Sequence, residues 1–124
     1  FRSLLMYAEA CNELGESQEA LDKLEMVRAR ARRTVHPADM TVGLPEITET
    51  GKEKLREIIW NERRIELALE GHRFFDLIRA DKVVPGYAEK MMKAHGKTNF
   101  SIAKHATFFI PQKQVDISQG VLKN

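Results

Sequence analysis

The chain has 124 residues, which fits one domain of ordinary size but not two. Hydrophobic residues make up 43% and charged residues 31%, a globular composition, and the longest apolar run, Leu4 to Ala8, is far shorter than the ~20 residues of a membrane-spanning helix. The formal net charge of +2 predicts no strong field for nucleic acid or anionic lipid, and the single Cys11 excludes an intrachain disulfide or a multi-cysteine metal cluster.

Residues 1–32 have the pattern of a helix pair. Apolar spacing predicts a helix from about Ser3 to Leu14, ended by Gly15, and Ser17 is placed to cap a second helix over residues 18–32. Because the connection is so short, the two helices must lie antiparallel. Their facing sides carry Ala8, Cys11, Ala20, Leu21, Leu24 and Val27. Ala8, Gly15, Ala20 and Val27, with Leu24 between them, follow the spacing of one tetratricopeptide helix pair.

The helical periodicity disappears between Arg33 and Glu49, where Pro37, Gly43 and Pro45 interrupt the chain. A loop of this length in a compact domain is usually functional or covered by another element. It is therefore the first candidate for a contribution to binding, and the alternative is a mobile surface connection.

A third helix is predicted after this loop. Thr50 and Glu53 have the spacing of a capping box, and the helix is expected to run to about Glu70 and stop at Gly71. Its apolar stripe consists of Leu55, Ile58, Ile65 and Leu69. This stripe places Glu62 in the middle of a buried face, where a carboxylate needs a partner.

Shorter elements follow. The pattern predicts helices over residues 72–80 and 87–94, separated near Pro85 and Gly86, then a short extended run over residues 107–111 and a polar tail. The chain is therefore expected to be mainly α, with at most one short strand. Its predicted divisions are a helix pair (1–32), a loop (33–49), a helical region (50–96) and an extended C-terminal segment (97–124).

Charged residues cluster between residues 61 and 76. Glu62, Glu66 and Glu70 lie four residues apart, so they repel one another unless cations lie between them. The candidate cations are Arg63 and Arg73 in the same segment, or Arg28 and Arg32 on the second helix. We predict a structural ion network that consists of Glu62, Arg63, Glu66, Glu70, Arg73 and Asp76.

Two other interpretations of this cluster are weaker. Paired carboxylates also serve as the acid and base of glycosidases, but that chemistry needs an open cleft as well. His72 lies near Glu70 and Asp76, yet the other histidines, His36, His95 and His105, lack metal-ligand spacing. We therefore predict no catalytic residue, no cofactor and no metal.

Basic and aromatic side chains give weak signals. The basic run of Arg28, Arg30, Arg32 and Arg33 spreads around more than one helix face, which favours pairing with the glutamates over nucleic-acid binding. Trp60 follows two isoleucines on a helix with a buried stripe. Core packing is therefore expected for it rather than stacking on a sugar ring.

Three stretches, in this order, resemble the C-terminal region of the SusD/RagB family, the nutrient-binding outer-membrane lipoproteins of Bacteroidetes. They are LLMYAEACNELG (4–15), ERRIELALEGHRFFDLIR (62–79) and FIPQ (109–112). The middle stretch is the most specific, because it joins a charged helix to a Glu-Gly-His-Arg turn. Family members are several times longer and have a lipid-bearing N-terminus, so the chain is expected to be a C-terminal segment.

The resemblance implies a surface-exposed lipoprotein of the outer membrane, without catalytic activity, whose anchor and export signal lie outside this segment. Such proteins capture an oligosaccharide or another nutrient and pass it to a TonB-dependent, SusC-like transporter. Ligand contacts in the family come mostly from variable loops and aromatic residues, so the ligand-binding residues here are unassigned. The alternative is a helical-repeat scaffold that binds another protein.

Overall fold

The computed structural model describes residues 1–35, 38 and 44–123, with only the backbone considered at positions 34 and 35. Across these residues the secondary structure is helical and contains no strand, which confirms the prediction of a mainly α chain. The helices are α1 (Arg2–Leu14), α2 (Ser17–Val35), α3 (Lys52–Glu66), α4 (Arg73–Val83), α5 (Tyr87–Ala94), α6 (Ile102–His105) and α7 (Gln112–Ile117). In the same ranges, no helix has the length and apolar character needed to cross a bilayer.

The chain divides into two compact units, residues 1–73 and residues 74–124. In the first unit, α1 packs against both α2 and α3. The core of this unit consists of Leu5, Ala8, Cys11, Ala20, Leu21, Leu24, Val27, Leu55 and Ile59. Every residue predicted to face the partner helix in the α1–α2 pair is therefore buried, as predicted.

Gly15 ends α1 in the left-handed conformation, with φ of 87°. Its N–H donates to the Asn12 carbonyl at 3.2 Å, and the Glu16 N–H donates to the Cys11 carbonyl at 2.9 Å. This pair of bonds satisfies two carbonyls at the helix end and reverses the chain into α2.

Gly15→Ala should destabilise the first unit, because a residue with a Cβ is strained at this φ. No atom lies within 4 Å of the added Cβ, so strain alone accounts for the expected loss of about 1 kcal/mol in the free energy of unfolding. Urea denaturation measures it. An unchanged midpoint would show that the left-handed turn is not needed.

Two predicted helix caps are wrong. The capping box of Thr50 and Glu53 does not form, because Gly51 is the N-cap of α3 and its N–H donates to the Glu49 carboxylate at 2.8 Å. Ser17 is the first residue of α2, not its cap, and its hydroxyl donates to the Thr50 carbonyl at 3.1 Å. The Ser17 hydroxyl thus joins the start of α2 to the segment before α3.

The predicted end of α3 is also wrong, because the helix stops at Glu66 and residues 67–71 form turns. Leu69 adopts a φ of 67° and is fully exposed, and Ile65 is exposed as well. Because Ile58 and Ile59 are adjacent, the apolar stripe of α3 can pass through either one, and each choice buries a different face of the helix. The structure uses the one that buries Leu55, Ile59, Glu62 and Arg63.

The segment that leads into α3 is fastened to the first unit. Arg32 Nη1 donates to the Leu44 carbonyl at 2.7 Å, Arg28 Nη2 donates to the Pro45 carbonyl at 2.9 Å, and Ile47 packs against the core. The predicted loop thus begins later than expected, since α2 continues to Val35, and its last part is anchored by two buried arginines. Three positions named above, His36, Pro37 and Gly43, lie outside the described residues, and the binding contribution of the loop stays a prediction.

In the second unit, the helix predicted over residues 72–80 extends to Val83, and α5 occupies the predicted range. The Asp81 carboxylate accepts a hydrogen bond from the Ala88 N–H at 2.9 Å, which joins the end of α4 to the start of α5. No strand forms over residues 107–111. The C-terminal segment is not extended throughout, because it contains the short helices α6 and α7.

Candidate functional site

The charged motif of α3 lies against α2. Glu62 is only 8% exposed, and its Oε2 accepts a hydrogen bond from Arg28 Nη1 at 2.8 Å. The same guanidinium also donates to the Pro45 carbonyl, so one buried arginine joins α2, α3 and the segment between them. Glu62 thus has the cationic partner that its buried position requires.

Glu66 lies one helical turn further along and pairs with Arg30 of α2. Arg30 also covers the ring of Phe1, with its guanidinium carbon 4.0 Å from the ring centroid. Arg32, which we named as a candidate partner, instead pairs with Glu25 of its own helix and donates to the Leu44 carbonyl. The α2 cations for the glutamates are therefore Arg28 and Arg30, two residues apart.

Arg63 points from α3 towards α1. Its Nε lies 3.9 Å from Glu9 Oε2, and the other oxygen of Glu9 accepts a hydrogen bond from the Trp60 indole at 2.8 Å. Trp60 is buried, at 4% exposure, as expected for core packing. Glu9 thus binds two neighbouring residues of α3 through its two carboxylate oxygens.

A second carboxylate of α1 binds α3 near its start. Glu13 accepts hydrogen bonds from Arg56 through both oxygens, one of them at 2.8 Å, and its Oε2 is 3.3 Å from Lys52 Nζ. The hydrogen bonds with Arg56 lower the pKa of Glu13 below its ordinary value, although burial acts in the opposite direction. The bidentate geometry fixes both orientation and spacing of the two helices.

Acidification should therefore weaken the first unit partly through Glu13. Because its pKa is lowered in the folded state, the contribution of this pair is complete above the ordinary glutamate pKa of about 4.3 and is lost as the pH falls through the lowered value. Glu13→Gln should be less stable than the wild type at neutral pH, with the difference shrinking towards acid pH. Thermal denaturation across this range measures the difference, and one that stays constant with pH would contradict the assignment.

The remaining residues of the predicted network are Glu70, Arg73 and Asp76, and their place in it stays a prediction. Glu70 follows the end of α3, and its Oε2 is 3.9 Å from His72 Nε2. Asp76 lies on α4 and pairs with Arg79 at 3.3 Å, while Arg73 is half-buried at the start of that helix. Glu62, Glu66 and Arg63 are thus brought together on α3, and Glu70 leaves their face because the helix ends before it.

Three residues of this site were not predicted. Glu9 and Glu13 make the ion pairs described above, and Asn12, fully buried, donates from its amide to the Lys52 carbonyl at 2.9 Å. The signal was present in α1, because positions 9 and 12 follow the buried positions 5 and 8 by four residues, and position 13 follows position 9 by four. Polar residues at that spacing flank the apolar face and reach the next helix.

The charged side chains of the motif contact one another between helices. Glu62 and Glu66 are each bound to an arginine, and no group of three or more His, Cys, Asp or Glu side chains suited to a metal occurs within residues 1–35, 38 and 44–123. Burial raises the pKa of the Cys11 thiol, and Glu16 raises it further. The geometry is that of charged contacts between helices.

A family model described as the SusD family matches residues 3–124. Among curated proteins, SusD-like protein P38 of Formosa agariphila is 38% identical over 82 residues, which are 65% of this chain and 16% of that protein. SusD-like protein P2 of the same organism is 40% identical over 80 residues, or 61% of this chain and 15% of that protein. The matched part is thus about one-sixth of each relative's length. No solved structure gave a significant match.

Proposed function

The chain belongs to the SusD family, and from this premise we propose that it forms part of a non-catalytic protein that binds glycans or other nutrients at the bacterial outer-membrane surface. In this proposal the protein is a surface-exposed lipoprotein, and it delivers its ligand to a TonB-dependent, SusC-like transporter. The observation that carries the proposal is the family match over nearly the whole chain, supported by two relatives with close to 40% identity.

The ion pairs of the first unit support a scaffolding role for the charged motif. Glu62 and Arg63 are buried on α3 and contact α2 and α1 respectively, so the motif joins three helices. Because Glu62 and Arg63 are more than nine-tenths buried, a ligand in solution cannot reach most of their polar atoms. We therefore assign Glu62, Arg63 and Glu66 to the internal framework of the binding protein, and propose no catalytic role for them.

A binding screen tests the proposed function. A glycan array followed by calorimetry should be run on the 124-residue chain and, in parallel, on the full-length gene product that contains it. Binding by the full-length product alone would support the proposal and assign the ligand site to other segments. Binding by the 124-residue chain would direct attention to residues 44–50. If neither sample binds a glycan while one of them retains a polypeptide partner, the helical-repeat scaffold is the better interpretation.

Turnover has to be measured on the same samples. Release of free sugar from any bound glycan would contradict the non-catalytic assignment. If release also stopped on Glu62→Gln or Glu66→Gln, the glycosidase interpretation of the paired carboxylates would replace it.

A further inference from the structure

An open groove of about 730 Å³ lies between α2 and the start of α1. Asp22, Met26, Ala29 and Arg33 line it from α2, and Phe1 and Leu4 line it from the start of the chain. Positions 22, 26, 29 and 33 are separated by four, three and four residues, so they form one stripe along the helix. Met26 exposes 53% of its surface, and Asp22 and Arg33 are exposed as well. This stripe, which we call the α2 stripe, has no apolar cover at Met26.

The residue types along this surface are complementary about one point in the sequence. The pairs 22 and 33, 25 and 30, and 26 and 29 share a midpoint between Val27 and Arg28. Across that midpoint an acidic residue is matched with a basic one twice, Asp22 with Arg33 and Glu25 with Arg30. The large Met26 is matched with the small Ala29.

We propose that the α2 stripe is a self-association surface through which two copies of the chain pair by an antiparallel α2–α2 contact. A two-fold axis through the midpoint places Asp22 of each copy opposite Arg33 of the partner subunit, and this match occurs twice in the dimer. The same axis places each Met26 opposite Ala29 of the partner subunit, so that a large side chain enters the space above a small one.

The order of the charges along the α2 stripe favours a second copy of the chain as the molecule that binds in the groove. Glu25 and Arg30 already pair within the chain, with Arg32 and Glu66, so Asp22 and Arg33 supply the charge at the two ends of the groove. Asp22 accepts a hydrogen bond from Gln18 of its own helix at 3.1 Å, and a carboxylate has further lone pairs that can accept from a guanidinium. A second α2 in antiparallel orientation presents the opposite sign at both ends.

Sedimentation equilibrium of the 124-residue chain tests the proposal. We expect a weak, concentration-dependent dimer that dissociates further in high salt. Asp22→Arg and Arg33→Glu should each raise the dimer dissociation constant by about 10-fold, because each change creates two like-charge contacts per dimer. Lys54→Glu, an exposed charge reversal on α3, is the matched control and should leave the dissociation constant unchanged.

Mixing the two charge-reversed variants gives the sharpest result. In a mixed pair, the basic residue introduced at position 22 faces the acidic residue introduced at position 33, and the native Asp22 and Arg33 face each other. An equimolar mixture should therefore dimerise as the wild type does, although each variant alone does not. Met26→Lys should also prevent association, and circular dichroism on every variant checks that α2 still folds.

Three results would overturn the proposal. They are a chain that stays monomeric up to millimolar concentration, an assembly that is equally strong in both charge-reversed variants, and a mixture that associates no better than its components. In the first two cases the α2 stripe is not an interface between copies, and another segment or protein is the better occupant.

Discussion

Replacing Glu62 with alanine should lower the free energy of unfolding by about 3–5 kcal/mol, because it leaves the buried Arg28 guanidinium without its carboxylate. Both side chains of the pair are about nine-tenths buried, at 10% exposure each, so water cannot replace the lost oxygen. The retained hydrogen bond from Arg28 to the Pro45 carbonyl compensates only part of the loss. Equilibrium denaturation in urea, followed by circular dichroism, measures the change.

Two further variants distinguish the effect of leaving a buried charge without its partner from the effect of shortening a side chain. Glu57→Ala removes an exposed carboxylate from the same helix and should change stability by less than about 0.5 kcal/mol. The combination of Arg28→Met with Glu62→Leu should recover most of the loss, because neither charge is then buried alone. A loss below about 1 kcal/mol for Glu62→Ala would mean that the pair behaves as a surface salt bridge.

Leu55→Ala is the second change for which we expect a large effect. Leu55 is fully buried in the core of the first unit, where α3 meets α1, so truncation leaves a cavity between helices. The expected loss is about 2–5 kcal/mol in the free energy of unfolding. The same urea denaturation, with the Trp60 fluorescence as a second probe, measures this loss in the unit that contains both residues.

Leu14→Ala is the matched control, because it makes the same chemical change at a position that is 77% exposed at the end of α1. Its stability should stay within about 0.5 kcal/mol of the wild type. Equal losses for Leu55→Ala and Leu14→Ala would contradict the assignment of the core to the α1–α3 contact.

Local patterns predicted the parts of the fold that local interactions determine. The Gly15 turn forces α1 and α2 together, and the small residues between them are buried as their spacing indicated. The presence of Glu62 on a buried face also followed from its neighbours, although two of the four residues in the predicted stripe, Ile65 and Leu69, are exposed. Periodicity alone could not choose between registers that start at Ile58 or at Ile59.

The partners of the charged residues depended on tertiary structure. Spacing on α3 identified Glu62 and Glu66 as needing cations, but the choice of Arg30 over Arg32 depends on how α2 is rotated against α3. Glu9 and Glu13 were missed because an acidic residue beside an apolar face is usually solvated, and here both accept hydrogen bonds from α3. The N-cap of α3 is Gly51 and not Thr50, and the carboxylate that accepts a hydrogen bond from the Gly51 N–H is that of Glu49.

We propose that the charged motif of this SusD family chain holds helices together and does not contact the ligand. The most direct test is a calorimetric titration of the full-length product and its Glu66→Gln variant with a glycan found in the binding screen, with a thermal melt of both samples. We predict an unchanged dissociation constant together with a lower melting temperature. An affinity at least about 10-fold weaker in the variant, at an unchanged melting temperature, would place Glu66 in the binding site and contradict the claim.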